Sequence, residues 1–266
     1  MPLSPLLAAY DQVILDLDGC VWLGEEPTPR VSEAISALRE GAVRVAFVTN
    51  DSHHSPEEYV RKLWALGCTA ALEEVVTVGS AIQHRLAHRA EDNGAFVIGS
   101  PALIRHVVAS GHRVLNQGPL AEVADVVVVA GHDAFDYAEL RTATRAVLAG
   151  AEMIVSDRDR TFPVADGLSP ATGSIVAALE YATGRQATSV GKPDPEMFET
   201  ALERLGAGRT LVVGDRLDAD LAGAAAAGLD GAIVLSGVTS RGEAEAASDP
   251  QPVAIARDLA TLVLSS

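Results

Sequence analysis

Apolar and polar positions alternate in blocks along this chain, and the first block sets the pattern. Val13-Ile14-Leu15 leads into Asp16-Leu17-Asp18-Gly19. An apolar run that breaks off in two acids and a turn glycine predicts a buried strand ending at a site. Residues 20–27, turn-rich and too short for a helix, predict a small hairpin flap beside it. A helix over 30–39 and a buried strand over 43–48 follow, and that strand ends in Thr49-Asn50. Ser55-Pro56-Glu57-Glu58 has the form of a helix start, with a capping serine, a proline at the first position and acids in the first turn. The helix runs to Gly67, and 75–78 predicts a third strand.

Over 80–183 the alternation begins afresh, with strands at 95–98, 126–130 and 153–155 and helices at 101–110 and 137–148. A block of roughly 100 residues with its own apolar alternation is of domain size. The first pattern then resumes. Gly191-Lys192-Pro193-Asp194-Pro195 reads as a rigid loop before a helix over 196–205, and the strand at 210–214 ends on Asp215. Asp218-Ala219-Asp220 opens an alanine-rich helix that stops at Gly228; a strand over 231–235 and an edge strand with a closing helix within 253–264 complete the chain. This order predicts the α/β class: a Rossmann-like, mostly parallel sheet core from 1–79 plus 184–266, with an inserted α/β domain at 80–183.

Composition narrows the function. With 48% hydrophobic residues in 266, the chain can bury a real core. A net charge of −16 argues against a broad basic face for nucleic acid or an anionic membrane, and suits a protein that holds divalent cations. Cys20 and Cys68 form no framework and no metal-ligand spacing, which leaves two reduced thiols. Residues 1–10 carry no basic segment ahead of their short apolar run, and no run reaches the length of a membrane span, so a cytoplasmic location is expected. A homodimer stays open.

Three predicted strands end in polar residues: Asp16/Asp18, Thr49/Asn50 and Asp215, with Lys192 on a loop. Residues i and i+2 of a strand share a face, so Asp16 and Asp18 emerge together. Two carboxylates that close need a cation between them, or one must hold a proton. In open parallel sheets ligands bind outside the carboxyl ends of the strands, where all these groups would meet. Carboxylates with a divalent cation, a hydroxyl beside backbone amides, and a lysine make a phosphate site, and phosphoryl transfer needs little beyond positioning and charge neutralisation.

The ordered set Asp16-Leu17-Asp18-Gly19, Phe47-Val48-Thr49-Asn50, Gly191-Lys192-Pro193 and Gly214-Asp215-Arg216-Leu217-Asp218-Ala219-Asp220 resembles the haloacid dehalogenase superfamily of phosphohydrolases. The long insert resembles the type II capped branch. Within it, Phe135-Asp136-Tyr137-Ala138-Glu139-Leu140 and Gly167-Leu168-Ser169-Pro170-Ala171-Thr172-Gly173 resemble the nitrophenylphosphatase-like subgroup IIA. The resemblance implies a Mg²⁺-dependent phosphatase of a small phosphomonoester. Asp16 would be the nucleophile that becomes an aspartyl phosphate, and Asp18 the acid and then the base, its backbone carbonyl helping to bind Mg²⁺. Asp215 would be the other metal-ligating carboxylate, with Asp220, or less readily Asp218, supporting the metal waters. Thr49 and the Asn50 amide would hold phosphoryl oxygens, and Lys192 would offset the charge of Asp16 and phosphate.

The chain departs from the subgroup pattern at four positions, and the two acids among them bear on substrate identity. Cys20 stands where threonine or valine is usual, Asp51 and Asp157 where asparagine is usual, and Ala171 where glycine is common. In the loop Ser156-Asp157-Arg158-Asp159-Arg160, the residues Asp157, Asp159 and Arg158 could reach substrate, with solvated loop charges as the alternative. An acid at 157 would repel a second anion, which favours polyol or sugar phosphates over bisphosphates and phosphocarboxylates. His53 and His54 read as loop histidines and Trp22 as flap packing. The alternative function is a phosphometabolite-binding regulatory protein with this fold and little turnover, which would have no need of Asp18.

Overall fold

The computed structural model describes residues 2–89, 94–164 and 167–265. The strands, in chain order, are β1 (Gln12–Asp16), β2 (Trp22–Leu23), β3 (Glu26–Pro27), β4 (Arg44–Thr49), β5 (Val75–Thr77), β6 (Gly94–Ile98), β7 (Arg113–Val114), β8 (Val126–Val129), β9 (Glu152–Val155), β10 (Thr161–Val164), β11 (Gly167–Pro170), β12 (Thr188–Ser189), β13 (Thr210–Gly214), β14 (Asp230–Val234) and β15 (Ala254–Ala256). Early helices are α1 (Val31–Glu40), α2 (Pro56–Ala65) and α3 (Val78–Ala87). Two compact units emerge: Met1–Thr49, Pro56–Val76 and Lys192–Ser266 form the first, Asn50–Ser55 and Thr77–Gly191 the second.

The first unit is built on one sheet of order β15-β14-β13-β1-β4-β5. β1 pairs in parallel with β13 and β4, and β13–β14 and β14–β15 continue in parallel. Every residue of β1 is buried, which is why its sequence runs apolar without alternation. Leu15, Ile35, Leu38, Phe47, Leu63 and Val213 belong to the core against this sheet. From β1 the strand order grows outward through β4 and β5 on one side and through β13, β14 and β15 on the other. The reversal falls between β1 and β13, and crevices open at such a point outside the strand ends. Register aligns Leu15 with Val213 and Asp16 with Val48, so Asp16 ends its strand level with the approaches to Asp215 and Thr49. Residues 20–27 form the expected hairpin, β2 against β3.

Two local expectations change. The strand expected over 75–78 stops at Thr77, because Thr77 Oγ1 accepts the Ser80 N–H at 3.2 Å and starts α3. The helix expected from 218 to 228 begins instead as a wide π-helical turn, Leu217–Leu221, before one short α-helix, Ala222–Ala226. The Asp220 carboxylate causes this by bending back to the amides of Asp215 and Arg216 at 3.1 and 3.0 Å. Such widened turns recur at functional sites.

The second unit carries a sheet of order β12-β9-β8-β6-β7, parallel throughout, and an antiparallel hairpin, β10–β11. Its core is separate: Phe96, Ile98, Val127, Val129, Val147 and Leu179 cluster together. The unit reaches Gly191, not 183, because β12 adds to β9 after the helix Thr172–Thr183. The chain passes between units at Thr49–Asn50, Ser55–Pro56, Val76–Thr77 and Gly191–Lys192. Among the described residues no helix is long and apolar enough to cross a membrane.

Candidate active site

Asp16 is the last residue of β1 and is buried, and Asp215 follows β13, also buried. Asp220 comes from the π-turn and is 2% exposed, so three carboxylates lie where water is scarce. Each offers an oxygen within 4.8 Å of the others. Lys192 is the cation set among them. Its Nζ donates to Asp16 Oδ1 and, at 2.7 Å, to Asp220 Oδ1. Burial works against that ammonium, but Asp16 and Asp220 outweigh it and hold Lys192 protonated, above its ordinary value. Burial likewise pushes Asp16 well above the usual carboxylate range; Lys192 pulls it back, and Asp220 and Asp215 push it further up. Asp215 is raised by burial too, although the Val238 N–H, 2.6 Å from its Oδ2, favours the anion. Lys192 favours the Asp16 anion against burial and the two neighbouring acids, and a further cation would favour it more; this all-oxygen set suits a hard divalent one.

Glycines make room for Asp215. Gly19 has φ +85°, and a Cβ there would overlap the Asp215 carboxylate, as would one on Gly237. Ser236 Oγ donates to the Gly19 carbonyl at 2.6 Å, tying the two glycine turns together. The polar Ser236-Gly237 pair at the end of β14 is a contributor the sequence reading passed over, though a strand ending in Ser-Gly is the same signal that marked β1. Gly19→Ala combines a left-handed φ, about 1–2 kcal/mol for a residue with a Cβ, with displacement of Asp215. The expected result is a lower melting temperature and divalent-cation binding weakened roughly tenfold, read by calorimetry.

The other sequence-derived residues fall as follows. Thr49 ends β4 and is buried. Asn50, its neighbour, opens the second unit. The Asp18 side chain is exposed at the turn, and its Oδ1 accepts the Trp22 Nε1–H at 2.8 Å. Asp220 lies among the carboxylates themselves, with both oxygens engaged by Lys192 and the 215 and 216 amides. Asp218 points elsewhere: Arg216 binds both its oxygens at 3.0 Å and the side chain is 75% exposed.

Within the second unit a cavity of about 480 Å³ is lined by Asn50, Asp51, His53, Asp133, Asp157 and Asp159, together with residues of the 131–135 and 169–175 segments. Four carboxylates line it, and among the described residues no lysine or arginine does. Asp51 accepts from the His53 and His54 amides at 3.1 and 3.2 Å and meets their Nδ1 atoms at 2.8 and 2.7 Å. That carboxylate raises the His53 imidazole against the opposing effect of burial. Asp157 is buried, which raises its pKa, and it accepts from Ser156 Oγ at 2.7 Å and the Asp159 N–H at 3.0 Å. Arg158, read as either a substrate contact or a solvated loop charge, is absent from the lining; its guanidinium goes to Glu180 at 2.9 Å and the Ala187 carbonyl at 2.7 Å.

A parallel sheet whose order reverses where Asp16 and Asp215 leave their strands, with Asp220 and the loop residue Lys192 gathered against them, fits an α/β phosphohydrolase. The chain belongs to the haloacid dehalogenase-like hydrolases: the model of that description matches residues 13–113, and a HAD-hydrolase-like model matches 189–262. It is 37% identical over 255 residues to D-glycerol 3-phosphate phosphatase of Mycobacterium tuberculosis, covering 95% of this chain and 71% of the relative. It is 33% identical to an acid sugar phosphatase of Staphylococcus saprophyticus, covering 91% of this chain and 92% of that one. A solved structure of the M. tuberculosis glycerol phosphate phosphatase in complex with magnesium superposes with a TM-score of 0.89 at 38% identity, covering 97% of this chain and 78% of that one.

Proposed function

We propose that this protein is a Mg²⁺-dependent phosphatase of small polyol or sugar phosphates that works through an aspartyl-phosphate intermediate, the second unit serving as its substrate-reading cap. The observation that carries this is the buried cluster Asp16, Asp215, Asp220 and Lys192 at the switch point of the sheet. The relatives' glycerol phosphate and sugar phosphatase activities agree with it.

Asp16 and Asp215, with the backbone carbonyl of Asp18, would hold Mg²⁺, which supplies charge neutralisation for nucleophile and phosphoryl oxygens. An Asp16 oxygen forms the bond to phosphorus as the bond to the leaving oxygen breaks, and Asp18 gives that oxygen its proton. Asp18, now a carboxylate, takes a proton from water as the water attacks phosphorus; the Asp16–phosphorus bond breaks and both acids return to their starting states. Thr49 and the Asn50 amide hold phosphoryl oxygens, and Lys192 balances charge. A purely binding regulatory protein would have no use for the exposed acid at Asp18 beside a buried nucleophile.

Support for the cap reading comes from connectivity: Asn50 lines the acidic cavity and is bonded to Thr49, while the chain returns from the second unit directly into Lys192. Carboxylates accept hydrogen bonds from hydroxyls and repel a second anion. Glycerol phosphate should therefore release phosphate only with Mg²⁺ and be turned over at least about tenfold more efficiently than phosphoglycolate, as like charges in a closed site repel by a kcal/mol or more. Activity in excess chelator would refute the metal-dependent chemistry, and a preference for phosphoglycolate would refute the cap reading.

A further inference from the structure

The Asp18 carboxylate accepts a hydrogen bond from a buried tryptophan. A buried indole N–H needs an acceptor, and for Trp22, fully buried in the flap, that acceptor is Asp18 Oδ1 at 2.8 Å. Among the described residues it is the side-chain donor that reaches the Asp18 carboxylate, which is otherwise exposed. Helix α2 holds the indole. The Tyr59 ring stacks on it, nearly parallel at 4° with centroids 6.0 Å apart. Lys62 places its Nζ 4.5 Å from the indole centroid and donates to the Gly24 carbonyl at 2.9 Å, which ties helix and flap together. The backbone adds a further tie, since the Gly19 N–H donates to the Trp22 carbonyl at 2.7 Å.

We infer that Trp22 is a positioning residue for proton transfer: held by Tyr59 and Lys62, its N–H fixes the rotamer of Asp18 and the oxygen that carries the proton. The inference rests on Asp18 being the acid. An indole N–H only donates, so Oδ1 stays the acceptor and the proton to be delivered sits on Oδ2. The step itself is unchanged: the Oδ2–H bond breaks, the leaving oxygen gains the proton, and the carboxylate that remains is stabilised at Oδ1 by the same N–H. Had Trp22 served packing alone, a phenylalanine would fill the flap with no acceptor required.

Trp22→Phe keeps the ring and removes the donor. Its effect should track how much the leaving group needs a proton. Glycerol phosphate turnover should fall by about 10- to 100-fold, the cost of a displaced catalytic group, while nitrophenyl phosphate falls by no more than about threefold, with KM for both little changed. Asp18→Asn should show the same bias more strongly, and the double variant should be no worse than Asp18→Asn alone. Equal losses on both substrates, or no loss, in Trp22→Phe while Asp18→Asn shows the bias would overturn the inference and leave the acid assignment standing. A bias missing from Asp18→Asn as well takes down that assignment and this inference with it. If circular dichroism finds Trp22→Phe unfolded, Lys62→Met carries the test: it leaves the indole in place and loosens its anchor, so a smaller bias of the same sign is expected and equal losses overturn the inference.

Discussion

Asp16→Asn should reduce phosphate release by about 10⁴–10⁶-fold, the scale on which covalent catalysis fails when its nucleophile is lost. The amide has the shape of the carboxylate and can still accept from Lys192, but it cannot attack phosphorus as an anion. The fold should survive the change. Asp16 shares its surroundings with Asp215 and Asp220, within 4.8 Å, and burial already opposes its charge. Replacing one of three crowded carboxylates by a neutral isostere therefore relieves repulsion in the metal-free protein. Steady-state assays with glycerol phosphate and nitrophenyl phosphate, beside thermal melts, check both halves. Residual activity within about 100-fold of wild type on either substrate, which general acid catalysis and binding alone could sustain, would remove Asp16 from the nucleophile's role.

The ends of strands were the legible part of this site. Asp16, Thr49 and Asp215 are each preceded by a buried apolar run, and a buried strand has little reason to stop on a polar residue unless it is used there. Their convergence followed from the parallel sheet, since β1, β4 and β13 are neighbours in register. Residues whose roles depend on side-chain direction were less legible. The spacing of an Asp-x-Asp pair does not separate Asp218 from Asp220, and only the family resemblance placed Asp220 first; the π-turn separates them, turning Asp218 to Arg216 and Asp220 to Lys192. Asp157, Arg158 and Asp159 alternate charge in a loop with no periodicity to say which face each takes, and Arg158 turned to Glu180. Trp22 read as flap packing, which its burial in the core bears out, but periodicity sees an apolar ring and not the N–H that meets Asp18. The start of α3 was hidden because Thr77 serves both as the last strand residue and as the cap of the next helix.

Lys192→Met should damage stability and activity together, and the pH dependence of the damage identifies its cause. The lysine side chain is 5% exposed and donates to Asp16 and Asp220. Without it three buried carboxylates share no ammonium. Removing one partner of a buried ion pair costs about 3–5 kcal/mol when the remaining charge has no other counter-ion. In wild type the lysine's contribution is complete at neutral pH, since its pKa is raised above the ordinary 10.5 and is lost only as pH rises past that range. In the variant Asp16 loses the contact that lowers its pKa and keeps the burial and the neighbouring carboxylates that raise it from 3.8. The folded variant then binds a proton that the unfolded chain releases, so its stability must fall as pH rises from about 4 through the raised value. The deficit relative to wild type should therefore be smallest in acid, where Asp16 is protonated in both proteins, and grow as pH rises through the range where Asp16 ionises. Catalysis should move the other way. Turnover should drop by about 10²–10³-fold at neutral pH, as for the loss of one preorganised charge partner, yet the residual rate should climb with pH as Asp16 ionises. Urea unfolding in metal-free buffer and a pH–rate profile with Mg²⁺ would read the two trends. A stability deficit that is as large in acid as at neutral pH would mean that Lys192 acts through packing of its stem, and the charge balance drawn for this site would fall.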